Sequence, residues 1–562
     1  MPKCKKKQYF EATTLHLEMI VYTPTAARSL SLFKTPFEQS LSPKNRWVRM
    51  ADLVPWDDLA AVFFSSMSPG EGRPSVDLRI VLGVLLVKHI ENLSDERAIE
   101  YVQENIYAQY FVGLSSFQVE PVFVPHLLVT IRKRLGKAGS ARLNDLLIEQ
   151  AVRVKAIKHR QRPSDKRPPS APPTQTSAGE PQAADSEASE DSASEVQASS
   201  AVRNRGTLIV DATVAPVRIA YPTDTRLLSE CRRISEGLID VLYQAHPENW
   251  PVKPRTYRRK AERQSVAFSK KRRRSKKDVR RALRQQLGYV RRNLKTINAM
   301  LDLMEAKGQS CPWLHAQRRH FWIIQEVYRQ QWLMYNDGRR RVDDRLVSIA
   351  QPHIRPIKRG KGGGKDTEFG PKINASLTEG FVRADQIDFN AFNEANLLEQ
   401  QIEGYRARFG YYPGRVLADK IYWTRANRKW LKDRHIEIGG VPMGRKAKRS
   451  KYEKEKDRKR NNQRSEVEGK FGEAKSRYGM DQLQTRLPRT TNAEVSLIFL
   501  AINLVQLLRK VGKEGVLIYL RGIRAAMQRV DGVFSGINQR VSFVSRLYSN
   551  NHQALMLGSE SF

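Results

Sequence analysis

One stretch decides the fold of this chain: Thr207-Leu-Ile-Val-Asp211-Ala-Thr213-Val214. Its run of apolar and β-branched residues predicts a buried strand that ends on the carboxylate of Asp211. Residues 217–221 are predicted to form its partner strand. Further along, Arg415-Val-Leu-Ala-Asp419 predicts another strand that ends on an acid. Acids at the ends of adjacent strands can lie together at one edge of a sheet, so these two carboxylates are candidates for a shared site.

The elements that follow the first strand complete an α/β order. Residues 372–377 and 381–386 predict a hairpin across Thr378-Glu-Gly380, and residues 436–442 predict a further strand. Helices are predicted from the spacing of apolar residues at 393–409, 424–435 and 463–480. Strand, strand, strand, helix, strand, helix, strand, helix is the order of a ribonuclease H-like fold. We therefore expect an α/β ribonuclease H-like catalytic core.

A long basic excursion interrupts this core. Residues 223–365 are predicted to be a helical insertion, so that the core consists of residues 203–222 and 366–510. Within the insertion, apolar residues recur at steps of three and four, which predicts a helix that packs on another helix, with residues 315–335 as its antiparallel partner. The residues of this apolar seam are Val279, Leu283, Leu287, Val290, Leu294, Ile297 and Leu301.

The chain before the core divides into three predicted parts. Residues 46–150 predict an all-α N-terminal domain, and residues 1–45 precede it as an extension. Residues 151–202 are predicted to be a disordered linker, because Pro, Ser, Ala, Thr, Glu and Asp dominate its central part and no Lys or Arg occurs from 168 to 202. Its acidic half, residues 180–195, could instead compete with DNA for basic surfaces. After the core, residues 511–562 are a C-terminal tail.

The charge of the chain indicates a polyanionic partner. The formal net charge is +39 and the pI is about 10.2, which is typical of proteins that bind nucleic acid, with an anionic membrane as the competing partner. Residues 253–292 hold eighteen Lys or Arg against two acids, and residues 445–460 hold ten against three. Contact with the DNA backbone is the preferred interpretation, and a solvated helix face is the alternative for residues 253–292.

No secretory or membrane segment is expected. Residues 1–8 are polar and basic. The longest apolar runs, residues 80–87 and 496–508, are shorter than the roughly 18 to 20 residues of a membrane span and predict buried helices. The cysteines, Cys4, Cys231 and Cys311, have neither metal-binding spacing nor the even count of a disulfide scaffold. We therefore expect a cytoplasmic protein without a membrane partner.

A third candidate acid lies in Arg464-Ser-Glu-Val-Glu468-Gly-Lys-Phe-Gly-Glu-Ala-Lys475. On a helix, Glu468 lies about 40° and Lys475 about 20° from Arg464, so that one narrow sector holds an acid and two bases. Glu466 is the rival acid, but it lies about 160° from Glu468 around the helix. Glu468 is therefore the preferred candidate.

Asp211, Asp419 and Glu468 are the residue types that magnesium-dependent phosphodiester cleavage needs. That chemistry uses two ions, one to activate the attacking oxygen and one to stabilise the leaving oxygen, and Mg²⁺ prefers hard oxygen ligands. Each residue also has an ordinary interpretation, since a strand-end Asp is often a turn former or helix cap and an Arg-Glu pair on a helix is often a surface ion pair. The conjunction of the three favours a catalytic, metal-binding site.

Several longer motifs carry a resemblance to a known family. In the N-terminal half they are Gly72-Arg-Pro-Ser-Val-Asp-Leu-Arg79, Lys88-His-Ile-Glu-Asn-Leu-Ser-Asp95 and Glu104-Asn-Ile-Tyr-Ala-Gln-Tyr-Phe-Val-Gly-Leu114. In the core they are Asp211-Ala-Thr213 with Ala220-Tyr-Pro-Thr-Asp224, Phe369-Gly-Pro-Lys-Ile373, Leu417-Ala-Asp-Lys-Ile-Tyr422 and Val467-Glu-Gly-Lys-Phe-Gly472 with Tyr478-Gly479. Taken together, they resemble bacterial insertion-sequence transposases of the DDE type, in the group with a small helical N-terminal domain and an Arg-Glu-Lys signature helix.

The resemblance implies a ribonuclease H-like nuclease that acts on its own element. Such an enzyme binds the inverted-repeat ends, hydrolyses there to free a 3′-hydroxyl and uses that hydroxyl to attack target DNA. Asp211, Asp419 and Glu468 fall on the family's three catalytic acids, which bind Mg²⁺, with Mn²⁺ able to substitute. Arg464 and Lys475 fall on the basic residues of the family's Tyr-Arg-Glu-Lys signature and are expected to contact transposon-end DNA.

The sequence departs from that signature at one position and leaves other functions open. Asn461 stands where the signature has tyrosine, which affects local packing or a terminal-base contact and not the metal ligands. The implied partners are double-stranded DNA, at the element ends and the target, and a second copy in a homodimer on DNA, in the cytoplasm and associated with the nucleoid. The alternatives are a non-catalytic DNA-binding descendant or repressor, and a nuclease of RNA or invading DNA.

Overall fold

The computed structural model describes residues 40–64, 75–159, 203–339, 341–358, 367–439 and 450–512, together with Thr35. Three predicted segments lie largely outside these residues. The predicted linker 151–202 lies outside them from residue 160, the predicted tail 511–562 from residue 513, and the predicted extension 1–45 up to residue 39 apart from Thr35.

The N-terminal part of the described chain is helical, as predicted. Its helices are α1 (Arg46–Leu53), α2 (Trp56–Phe64), α3 (Leu78–Ile90), α4 (Asp95–Glu104), α5 (Ile106–Val112) and α6 (His126–Arg153). Side-chain caps set where some of them begin: at the start of α4, the Ser94 hydroxyl accepts the backbone N–H of Arg97 at 3.2 Å. Helix α3 is buried along nearly its whole length, which confirms that the apolar run at residues 80–87 is a core helix.

The described part of the predicted insertion contains four α-helices: α7 (Asp224–Ala245), α8 (Arg258–Lys270), α9 (Lys276–Ala306) and α10 (His315–Asn336). The predicted apolar seam lies on α9, where Leu287, Val290 and Ile297 are buried, and the predicted partner α10 packs on it. Helix α7 packs on α9 more extensively than α10 does, and the sequence prediction omits it. Its buried residues do recur at helical spacing, at Leu228, Cys231, Leu238 and Leu242.

A five-stranded mixed sheet forms the centre of the described chain. The strands of the described chain, of which five belong to this sheet, are β1 (Thr207–Val214), β2 (Pro356–Lys358), β3 (Thr367–Phe369), β4 (Lys372–Thr378), β5 (Phe381–Asp388), β6 (Arg415–Leu417) and β7 (Glu437–Gly439). Strands β2 and β3 form a separate ribbon, and the other five lie in the order β5-β4-β1-β6-β7. Pairing is antiparallel between β1 and β4 and between β4 and β5, and parallel between β1 and β6 and between β6 and β7.

The strand predicted for residues 217–221 is not part of this sheet. Strand β1 is central, so both of its edges are paired already, with β4 on one side and β6 on the other. Val217 instead makes an isolated bridge to Leu483. The prediction of a partner strand is therefore wrong, because a strand-like sequence here finds no open edge of β1 to join.

The hairpin predicted across residues 378–380 is confirmed as β4 and β5. Its two turn residues, Glu379 and Gly380, have φ angles of 47° and 87°, the positive values that suit the twist of a tight hairpin. Gly380 also lies close to the Gln506 side chain, and a Cβ at this position would come within 2.7 Å of the Gln506 amide nitrogen. The turn therefore favours glycine for its conformation, whereas the Gln506 amide lies at the end of a flexible side chain that can shift.

Among the described residues that follow the hairpin, four more α-helices occur: α11 (Leu398–Phe409), α12 (Arg425–Asp433), α13 (Lys451–Arg477) and α14 (Pro488–Gly512). Helix α13 begins well before the predicted residue 463, at a capping box formed by Ser450 and Glu453. Helix α14 is long and apolar enough to cross a membrane, but it packs inside the protein, where Leu497, Phe499 and Leu504 are buried. The N-terminal helices, α14 and one face of the sheet share a single hydrophobic core.

Candidate active site

The acid group, which we define as Asp211, Asp419 and Glu468, is carried by two parallel strands and the helix that packs across them. Strands β1 and β6 pair with Ile209 opposite Leu417. If this register continues for two residues, positions 211 and 419 lie level with each other. Helix α13, which carries Glu468, contacts both strands. Three remote parts of the sequence therefore approach one another at one end of the sheet.

Asp211 lies inside β1, opposite Ala375 of β4, and not at the end of the strand as predicted. The strand continues to Val214 because β4 pairs with it beyond the point where β6 ends. The backbone N–H of Ala212 donates a hydrogen bond to Asp211 Oδ1 at 2.9 Å. The carboxylate thus projects from a fixed strand backbone instead of a loop.

The surroundings of Asp211 disfavour its charged form. Burial is the largest cause and raises its pKa to about 6, while the hydrogen bond from Ala212 opposes the shift. The nearby carboxylates of Glu394 and Glu468 also contribute to this raised pKa, and the Arg464 guanidinium opposes it. Asp211 is therefore within electrostatic reach of the α13 residues that the sequence analysis singled out.

Asp419 lies just beyond the end of β6, as predicted. Its Oδ1 accepts the backbone N–H of Lys420 at 2.7 Å, at the start of the short 3-10 turn Lys420–Tyr422. The side chain is 55% exposed. Asp419 therefore caps the turn with Oδ1, while its other oxygen stays available to a ligand.

Arg464 joins two members of the acid group. Its Nη1 lies 3.8 Å from Asp419 Oδ1, and its Nη2 lies 3.4 Å from Glu468 Oε1. The contact with Glu468 is local and follows from helical spacing, whereas the contact with Asp419 depends on how α13 packs on β6. Because the guanidinium lies between the two carboxylates, it offsets their mutual repulsion.

The other α13 residues differ in their placement. Glu466 makes no ion pair with a residue in the described ranges, whereas Glu468 pairs with Arg464 and raises the pKa of Asp211. Of these two acids, Glu468 is therefore the one near the strands. Lys475 lies about 10 Å farther along the helix axis than Glu468 and is half-buried. Of the basic segment predicted at 445–460, residues 450–460 form the cap and first turns of α13, and residues 445–449 lie outside the described ranges.

Glu394 is a fourth carboxylate near the acid group, and the sequence analysis missed it. It opens the 3-10 turn Glu394–Leu397, which packs against the turn that follows Asp419. Its Oε1 lies 2.7 Å from the Lys372 ammonium, and both side chains are about four-fifths buried or more. The predicted amphipathic helix at 393–409 assigns Glu394 only to a helix start, because its proximity to Asp211 depends on tertiary packing.

The acid group fits a divalent cation in its chemistry. Carboxylate oxygens are the ligands that Mg²⁺ prefers. The carboxylates near Asp211 raise its pKa, and a bound cation would lower it again. In spacing, however, the described residues include no three His, Cys, Asp or Glu side chains grouped closely enough to hold an ion. Joint binding of one ion by Asp419 and Glu468 would require Arg464 to move, so the metal role stays a prediction.

Two family models match the chain. A model described as a transposase DDE domain matches residues 416–505, and a model described as a transposase domain matches residues 35–134. The resemblance to bacterial insertion-sequence transposases of the DDE type is confirmed. The DDE transposase match includes Asp419, Arg464, Glu468 and the whole of α13, whereas Asp211 lies outside it, before the helical insertion.

A relative supports the same assignment in part. The chain is 32% identical over 121 residues to an uncharacterized protein from Rhizobium meliloti, ORF8 in the nfe locus. The aligned part is 22% of this chain and 58% of that protein. No solved structure matches the chain. The DDE transposase domain implies a ribonuclease H-like core, and the mixed sheet and helical N-terminal region agree with it.

Proposed function

We propose that this chain is a DNA transposase that binds the inverted-repeat ends of its insertion sequence. It hydrolyses the phosphodiester there with two divalent metal ions and joins the freed 3′-hydroxyl to target DNA. The observation that carries the proposal is the Arg464 guanidinium, which holds Asp419 and Glu468 together beside Asp211. Carboxylates on two paired strands and a facing helix are the arrangement that this chemistry needs.

The strand order supports a ribonuclease H-like catalytic core. Strands β1, β4 and β5 form an antiparallel unit, and β6 and β7 extend it in parallel on the other side of β1. This arrangement keeps β1 and β6 adjacent although the insertion of α7 to α10 lies between them in the sequence. The insertion is therefore compatible with an intact site.

Asp211, Asp419 and Glu468 are the residues that would hold Mg²⁺, or Mn²⁺ in its place. When bound, the metal ions supply activation of the attacking oxygen and stabilisation of the leaving oxygen. The chain's own residues position the DNA: Arg464 lies against the acid group, and Lys475 extends the basic side of α13. Arg464 is able to exchange a carboxylate for a phosphate oxygen, because guanidinium binds both in the same geometry.

The partners and location follow from this function. Double-stranded DNA, at the element ends and at the target, is the substrate that the net charge of +39 favours. Both ends of the element must be bound together, so we include a homodimer on DNA in the proposal. We also propose a cytoplasmic, nucleoid-associated location. None of these steps needs a membrane.

Excision in cells tests the proposal. Asp419→Asn and Glu468→Gln remove one carboxylate charge each with little change in shape, so we expect them to abolish excision of a marked element while end binding stays near the parental level. Glu466→Gln is the matched control on the same helix and should leave excision unchanged. Parental excision by both acid variants would refute the assignment of the site.

A non-catalytic DNA-binding descendant is the second candidate, and one observation favours it. The described residues include no group of three His, Cys, Asp or Glu side chains that could hold a metal ion. In that case the parent chain itself would bind end DNA and fail to excise with either Mg²⁺ or Mn²⁺. The same assay therefore separates the two functions, because a repressor loses nothing when Asp419 is changed.

A further inference from the structure

Helix α8 of the insertion is attached to the protein almost entirely by polar contacts. It packs on α7 and α9, yet Ala261 is its only buried residue. Four contacts hold its inner side: Arg258 with Asp240, Glu262 with Arg232, Gln264 with the Tyr289 hydroxyl, and Ser265 with Ser229. A helix that buries one alanine adds little to a hydrophobic core, so core formation does not explain its position.

The outer face of α8 combines basic and small apolar side chains. With 100° per residue, Arg259, Arg263, Val266 and Lys270 fall within a sector of about 60°, and Ala261 lies about 180° from Lys270. All four outward residues are exposed. Within the described part of the chain, the ion pairs of α8 are made by Arg258 and Glu262, so Arg259, Arg263 and Lys270 have no acidic partner there.

Basic side chains also line both flanks of α8. Between α8 and α9 runs a groove of about 410 Å³, whose basic residues are Lys260, Arg281, Arg284 and Arg292. On the α7 side, the outer-face residues Arg259, Arg263, Val266 and Lys270 border a groove of about 830 Å³, whose other lining residues are Arg232, Arg233, Glu236, Arg258, Glu262 and Ala267. Both acids of this groove pair with Arg232, so the remaining arginines and Lys270 give it a net positive charge. Such a concentration of positive charge around an outward-facing helix favours a polyanion as its occupant.

From these observations we infer that α8 enters the major groove of duplex DNA and reads base edges, while arginines of α9 contact the flanking phosphates. An α-helix is 10–12 Å across, and the major groove is about 12 Å wide, so the helix fits. Arginine forms paired hydrogen bonds with guanine, and a small apolar side chain such as Val266 contacts the thymine methyl group. This inference rests on the proposed function and adds a sequence-reading element to it.

The chemistry of the face argues for duplex DNA over two other polyanions. The major groove of A-form RNA is too deep and narrow for side chains to read. An anionic membrane would be bound through large apolar residues on the outer face of the helix, and that face offers only Val266 and Ala267 between its basic residues. Base reading by α8 also differs from a contact with the DNA backbone alone, which carries no sequence information.

Selection from a pool of DNA duplexes with a randomised centre tests the inference on the full chain. We expect the parent to enrich a sequence motif, and Arg263→Ala to weaken binding to that motif about tenfold, with relaxed preference at one position and little change on random duplex. Arg284→Ala should weaken binding to motif and random duplex alike and reduce the salt slope by about one. Arg329→Ala, exposed on α10, is the charge-matched control and should change neither.

Each alternative outcome overturns the inference in a recognisable way. If Arg263→Ala behaves as Arg329→Ala does, α8 does not contact DNA. If Arg263→Ala weakens binding to the motif and to random duplex equally, α8 contacts only the DNA backbone and reads no bases. Loss of binding to phosphatidylserine vesicles without a change in DNA binding would assign the face to membranes. Failure of the parent to bind any duplex would instead refute the proposed function, and unchanged thermal melting of the variants excludes misfolding as the cause.

Discussion

At the scale of single residues, the candidate site is a set of carboxylates paired with two cations. Arg464 lies between Asp419 and Glu468. Lys372 pairs with Glu394, and the Glu394 carboxylate is close enough to Asp211 to raise its pKa. The Lys372–Glu394 pair is mostly buried, so loss of either partner leaves the other charge without compensation in a poorly solvated place. We expect Glu394 to position its neighbours and not to take part in the reaction itself.

The substitution Glu394→Gln tests that positioning role. We expect it to lower excision by about 10- to 100-fold while end binding stays unchanged, because residues that orient metal ligands have effects of that size. Glu399→Gln, on the exposed side of the following helix, is the control and should excise at the parental rate. The idea is wrong if excision and end binding fall by the same factor in Glu394→Gln, since that would indicate a folding defect.

At the scale of elements, α14 covers the edge strand of the sheet. Asn503 is fully buried, and its side chain satisfies both backbone groups of Val382 in β5, accepting the N–H at 2.9 Å and donating to the carbonyl at 2.7 Å. It also donates to the Asn144 side chain of α6 at 3.0 Å. One side chain therefore ties the sheet edge to the N-terminal helices, and the polar residue that interrupts an apolar run has a structural purpose.

Replacement of Asn503 by Ala should destabilise the protein. Two backbone groups of β5 would be left buried without partners, which costs about 1–3 kcal/mol for each group. The midpoint of urea unfolding is the measurement. Asn492→Ala makes the same deletion on α14 at a residue whose Oδ1 has no hydrogen-bond partner among the described residues, so its midpoint should stay close to that of the parent. A midpoint for Asn503→Ala as high as that of Asn492→Ala would contradict this account.

At the scale of the whole molecule, a buried group of charges lies between the N-terminal helices and α14. Lys88 Nζ lies 3.0 Å from Asp95 and 3.3 Å from Glu494, and Arg132 also pairs with Asp95. His89 is buried beside them, and burial, followed by the Lys88 charge, lowers its pKa to about 3. The two parts of the molecule are therefore joined by ionised groups around a neutral histidine.

This lowered pKa predicts a pH dependence of stability. An unfolded histidine titrates near pH 6.5, so between about pH 6.5 and 3 the unfolded chain binds one more proton at residue 89 than the folded chain does. Stability is therefore fully present above pH 6.5 and falls as the pH drops through this window, by up to about 1.4 kcal/mol per pH unit. His159 and His353, whose pKa values are also lowered by burial, add slopes of the same sign.

The variant His89→Gln isolates that contribution. Between pH 6.5 and about 5, above the usual pKa values of unfolded carboxylates, its free energy of unfolding should fall less steeply as the pH drops than that of the parent. The raised pKa of Asp211 adds the same slope to both proteins and cancels in the comparison. The comparison uses the slope, so a general loss of stability in the variant does not affect it. Identical slopes for the two proteins would show that His89 is not held neutral in the folded state.

The charge of the whole chain predicts how binding responds to salt. If the basic surfaces neutralise about 6 to 10 phosphates, affinity for duplex DNA should fall roughly 10³- to 10⁵-fold between 50 and 200 mM salt, because bound counterions are released. A titration at several salt concentrations measures the slope. A nearly flat dependence would exclude phosphate contacts as the main source of affinity, despite a net charge of +39.

From the sequence alone, features that depend on near neighbours could be predicted. The helices α3, α4 and α9, the strand β1, and the hairpin of β4 and β5 follow from periodicity, capping and turn chemistry. The pairing of Arg464 with Glu468 follows in the same way from the helical repeat. The residue types of the acid group, and the polyanionic partner implied by the charge, also need no coordinates.

Only the tertiary structure decided which of these elements meet. The sequence predicted a partner strand at residues 217–221, but β4 and β6 occupy both edges of β1. The local pattern of a strand does not determine which edge of a sheet it joins. Glu394 comes near Asp211, and Arg464 reaches Asp419, because strands and helices remote in the chain pack together. Local patterns predict the conformation of a segment. Contacts between remote segments depend on the packing of the whole chain, and therefore on many residues at once.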